Sequence, residues 1–157
     1  MRSIVVTTAL SVSILLVYAG SSTAAEPVAC TVLTEAQIGT ATAAAMGAGS
    51  PIARPGTCQW FGPGKIVTLT INQPRAGKSP VDQFNDGKKT LPGVTTEPVS
   101  GVGDDAYYVF YAGSNRAGCG ILVKKGTSVF EIRVYGFDLD KAKPVAKTLA
   151  QNAATKF

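Results

Sequence analysis

Residues 120–135 read GILVKKGTSVFEIRVY, two apolar runs joined by Gly126-Thr127. In the second run Phe130, Ile132 and Val134 alternate with Glu131, Arg133 and Tyr135. A period of two is the pleat of a strand, which sends successive side chains to opposite faces. Two such runs across a tight glycine turn predict an antiparallel hairpin with one covered face and one wet or partner-facing face. A chain holding this hairpin must build a sheet and find something to cover it.

The rest of the sequence supplies both. TCQWF (57–61) and KIVTLTIN (65–72), joined by GPG, predict a second hairpin in which Val67, Leu69 and Ile71 face inward. DAYYVFY (105–111) predicts a further strand, dense in aromatics. Thr34 and Gln37 form a capping box, with Leu33 and Ile38 as its hydrophobic staple, so a helix is expected over 35–46 and Gly47 can end it. Ser79-Pro80-Val81-Asp82 starts a second helix, with Val81 and Phe84 facing inward and Gly87 near its end. The third, over 140–154 with Asp140 as N-cap, carries Ala142, Val145, Ala146, Leu149 and Ala153 on one stripe, and Pro144 sits near its start. The order is α-β-β-α-β-β-β-α. The fold class expected is α+β, a two-layer sandwich with an antiparallel sheet of about five strands and helices on one face.

The amino terminus is an address. Arg2 precedes the apolar run 4–17, and small residues follow through Ala25, the layout of a secretory signal peptide with cleavage near Ala24 or Ala25. The run is shorter than the roughly 20 residues of a spanning helix. The domains expected are therefore a cleaved signal, 1–24, and one α+β domain, 25–157, periplasmic or secreted. Cys30 follows the signal closely, but Pro27 and Glu26 stand where a lipidation motif needs a Leu-like residue and small residues. No lipid anchor is expected.

Of 15 basic residues Arg2 leaves with the signal, and the 14 that remain stand against 10 acidic ones, a net charge of +4. The basic residues are dispersed, so nucleic acid is not an expected partner. Three cysteines, 30, 58 and 119, allow one bridge and one leftover thiol in an oxidising compartment. There is no histidine. That removes Ser-His-Asp and Cys-His catalysis and most zinc sites. The carboxylates are scattered, and Asp104 and Asp105, being adjacent in an extended segment, point apart. No catalytic residue, metal site or cofactor is expected. GVGDD (101–105) lacks the following helix and third glycine of a nucleotide loop and reads as a turn into a strand.

The aromatic set is the remaining candidate. Tyr107, Val109 and Tyr111 share one face of their strand, and Tyr108 and Phe110 the other. Tyr107 and Tyr111, with Arg133 and Tyr135 of the neighbouring run, are the expected binding residues. Aromatic and Arg side chains dominate contact energy at protein surfaces, so the expected partner is an envelope protein or a glycan. An apolar small-ligand or lipid carrier is the alternative class, and a histidine-free hydrolase a third.

Three segments carry a resemblance. CTVLT (30–34), CQW (58–60) and GVGDDAY (101–107) resemble the C-x-L-L-T, C-x-W and G-x-G-D-x-A-Y motifs of small secreted domains of unknown function, best known as actinobacterial lipoproteins. They occur in the same order and span nearly the whole exported chain. The family is similar in outline to PsbP and Mog1-like folds, which bind partners rather than catalyse. The resemblance brings no catalytic residues, and this chain departs from it in lacking the lipidation motif. It implies a Cys30–Cys58 disulfide. Closing a loop of that length removes unfolded-state entropy worth roughly 3 to 4 kcal/mol; a Cys58–Cys119 bridge between strands is the competing pairing.

Overall fold

A computed structural model describes residues 28–89, 94–111 and 118–157. The signal segment and its cleavage site lie outside the described residues. Four helices and seven strands run in the order α1 (Ala29–Val32), α2 (Glu35–Thr42), β1 (Ser50–Pro51), β2 (Thr57–Gly62), β3 (Lys65–Ile71), α3 (Pro80–Gly87), β4 (Val94–Val99), β5 (Asp105–Tyr111), β6 (Gly118–Lys125), β7 (Ser128–Tyr135) and α4 (Leu139–Ala154).

The fold is α+β, on one open antiparallel sheet of order β1-β2-β3-β7-β6-β5-β4. Two meanders, β1-β2-β3 and β4-β5-β6-β7, meet where β3 pairs with β7. The sheet has seven strands rather than about five. β1 is only two residues long, too short to show a pattern. β4 carries Pro98, which is tolerated because β4 is an edge strand.

Alternation sorts the side chains as the hairpins predicted. Cys58 and Trp60 of β2, Val67, Leu69 and Ile71 of β3, Cys119, Ile121 and Val123 of β6, and Phe130, Ile132 and Val134 of β7 build the main core with α1, α2 and α4. From α4, Ala142, Ala146, Leu149, Ala150 and Ala153 are fully buried, and the small size of the four alanines lets the helix pack closely on β6 and β7. Its N-cap is Asp138, not Asp140.

Two further expectations are corrected. α2 has the expected capping box, Gln37 N–H donating to Thr34 Oγ1 at 3.2 Å and Thr34 N–H to Gln37 Oε1 at 2.9 Å. It ends early, at Ala43 in the left-handed conformation (φ 48°), because the chain beyond turns along the sheet edge and Gly47 N–H donates to the Phe61 carbonyl at 2.8 Å. The helices also do not share one face. α3 packs on the side opposite α4, where Phe84 meets Tyr107, Val109 and Val129 in a second, smaller core.

Cys30 in α1 is bonded to Cys58 in β2 across a sequence separation of 28, with Cα atoms 5.1 Å apart. Cys119 is the free, buried thiol. Burial pushes it up to about 11, with Lys143 pulling slightly the other way. A thiol so protonated is a poor nucleophile.

Candidate functional site

The sheet face that α3 partly covers bears the candidate residues, and the pairing register arranges them in rows. One row runs Thr57–Thr70–Glu131–Leu122–Tyr107, the next Gln59–Thr68–Arg133–Gly120–Val109, and the third Phe61–Ile66–Tyr135–Gly118. The first two are polar towards the β2 side: Thr57 and Thr70 hydroxyls are 3.2 Å apart, and Gln59 Nε2 donates to Thr68 Oγ1 at 3.1 Å. The third is apolar and aromatic.

Arg133 and Glu131 stand two residues apart on β7, and Arg133 Nε donates to Glu131 Oε1 at 2.5 Å. Glu131 is 5% exposed, so its charge needs this partner. Gly120 makes the space: a Cβ there would come within 3.2 Å of Glu131 Oε1 and 3.5 Å of Arg133 Cγ. The Arg133 side chain keeps 29% of its surface in solvent. Tyr135 is half-buried beside it, and Phe61 is 51% exposed.

Of the four residues expected to form the site, Arg133 and Tyr135 share this open face. Tyr107 points to the same side but is only 2% exposed beneath α3. Its ring centroid lies 4.9 Å from that of Phe84, and its hydroxyl donates to the Phe84 carbonyl at 3.1 Å. It anchors the helix and is no contact residue for a partner. Tyr111 ends β5, paired with Val94; its side chain lies outside the described residues. Phe61 and Gln59 belong to the surface and were not singled out from sequence, because only the β2–β3–β7 register sets them beside Tyr135 and Arg133. Tyr108 faces the other way, its hydroxyl donating to the Lys143 carbonyl at 3.0 Å, and burial foremost raises its pKa.

Several other charges tie the fold together. Asp104 accepts from Gly126 N–H at 2.7 Å and pairs with Lys125 at 2.9 Å, tying the 101–105 turn to the β6–β7 hairpin and holding its carboxyl below the usual range. Lys88 pairs with Asp105, and Lys78 and Lys89 with Asp86, whose carboxyl is lowered to about 2, chiefly by its hydrogen bond to Lys78. Among the described residues no group of three Cys, Asp or Glu side chains is placed to hold a metal ion. No protein-family model matches the chain, and no curated protein or solved structure matches it.

Proposed function

We propose that this chain is an exported, non-catalytic binding domain that engages a protein or glycan of the cell envelope through the open sheet face. The observation that carries the reading is that Phe61 is exposed, and Tyr135 and Arg133 partly exposed, on adjacent rows of one sheet face. Flat aromatic surface flanked by a guanidinium supplies apolar contact and directional hydrogen bonding at little entropic cost. The Cys30–Cys58 bridge fits an oxidising compartment outside the cytoplasm, and the signal-like segment 1–24 supplies the route. Kinship with the small secreted domains named above belongs to the same proposal.

Sedimentation with isolated envelope glycan, and separately with envelope protein extract, tests the idea. Binding by the unaltered protein should fall at least tenfold in Tyr135→Ala with Arg133→Ala and in Phe61→Ser. Undiminished binding by all these variants, or no binding to either fraction, would sink the assignment.

A further inference from the structure

A second feature points to a ligand, away from the aromatic row. Between the loop before β2 and the loop after β3 lies a cleft of about 250 Å³ lined by Arg54, Thr70, Asn72, Gln73, Arg75 and Gln83 among others, with no carboxylate in its wall. Among the described residues neither guanidinium has a carboxylate partner, and the Asn72 side-chain amide has no hydrogen-bond partner.

Both loops are held in place by backbone. On the Arg54 side, Gly56 adopts φ +66° with its carbonyl accepting from Ile71 N–H at 2.8 Å, and a Cβ there would lie 2.7 Å from the Ile71 carbonyl oxygen. Only glycine fits, and it clamps the loop to the end of β3. On the other side Arg75 and Lys78 exchange backbone hydrogen bonds of 3.1 and 3.0 Å around Ala76 (φ 51°) and Gly77 (φ 75°), a tight turn with both central residues left-handed. An alanine in that region costs about 1 kcal/mol or more. Gln83 of α3 braces the loop by donating to the Gln73 and Lys78 carbonyls at 3.0 and 3.3 Å.

We infer that this cleft is a binding site for a tetrahedral oxyanion, a phosphoryl or sulfuryl group, gripped by Arg54 and Arg75 with the Asn72 amide as a neutral donor. Guanidinium forks suit such oxygens, and a carboxylate-free wall leaves them available. A neighbouring surface cleft of about 520 Å³ shares Arg75 and Gln83 in its lining, and its one carboxylate, Asp86, is neutralised by Lys78 and Lys89, so the anion can be the end of a larger ester.

Titration of isotope-labelled protein with inorganic phosphate, inorganic sulfate and a sugar phosphate, followed by amide chemical shifts at physiological ionic strength, tests this; screening there reaches about 8 Å. Saturable shifts confined to residues 54, 56, 70–73, 75 and 83 are expected with at least one probe. Preference for the inorganic ion or for the ester identifies the source of the group. Arg54→Gln and Arg75→Gln should each weaken binding about tenfold or more, and Arg75→Lys, which keeps the charge, should weaken it too. Unchanged core resonances would show that these exposed positions leave the fold intact. Lys141→Gln/Lys147→Gln removes two charges elsewhere and should leave binding alone. Absent saturation with every probe, or equal weakening in the lysine control, would overturn the site.

Discussion

Phe84 is the residue by which α3 holds the otherwise open face, and removing its ring should release that helix. Phe84 is fully buried, and its ring packs 4.9 Å from that of Tyr107. An aromatic side chain of 150–250 Å² at about 25 cal/mol per Å² gives roughly 4 to 6 kcal/mol, an upper bound. Phe→Ala changes in cores cost about 3 to 5 kcal/mol. About 4 kcal/mol is therefore expected for Phe84→Ala. With a urea slope near 1.5 kcal/mol/M, the unfolding midpoint should fall by roughly 2 to 3 M. Trp60, buried in the main core on the opposite face, reports global unfolding by fluorescence. Tyr107→Phe, which removes the hydroxyl bond to the Phe84 carbonyl, should cost about 1 kcal/mol. A loss below about 1 kcal/mol for Phe84→Ala would refute the reasoning. α3 would then not be docked, and Tyr107 would return to the open surface as a contact residue.

Two further outcomes follow from the same packing. Replacing Cys30 and Cys58 together by Ser should lower stability by roughly 3 to 4 kcal/mol in the same assay, through restored freedom of the unfolded chain. Asp104 has its carboxyl lowered first by the Gly126 N–H and then by Lys125, so its stabilisation is complete above the unfolded value of about 3.9 and fades as pH falls through the lower folded value. Melting temperatures measured down the acid limb should therefore show a shallower decline in Asp104→Asn than in the unaltered protein.

What could be read without coordinates was whatever local chemistry decides. The capping box at Thr34, the helix start at Ser79, the strand cores and the side-chain parity of β5 and β7 all depend on neighbours within a few residues. Parity correctly set Tyr107 apart from Tyr108. It could not say which face was covered, since that is settled by Phe84, more than twenty residues earlier in the chain. The end of α2 was misplaced because Gly47 looks like a helix terminator, while its N–H is taken by the Phe61 carbonyl on β2. β4 hid behind Pro98, which weakens a strand pattern unless the strand is known to be an edge. Arg54 and Arg75 lie in loops with no periodicity, and only the tertiary approach of those loops gives them a common cleft.

The extent of the open face follows from one length. The chain must leave β3, in the interior of the sheet, and reach β4 at the far edge, and α3 lies on this route. Eight residues of helix extend about 12 Å, whereas seven strands at about 4.8 Å spacing span close to 29 Å. An element this short can cover only part of the face, and its buried anchor selects the part around Tyr107, Val109 and Val129. Phe61, Tyr135 and Arg133 are left beyond its reach. On the other face α4 has 16 residues, and α1 and α2 complete its cover over the main core. Among the described residues one face is thus sealed and the other partly covered, an asymmetry built into the chain's own route, and the proposed contact surface lies on the partly covered side.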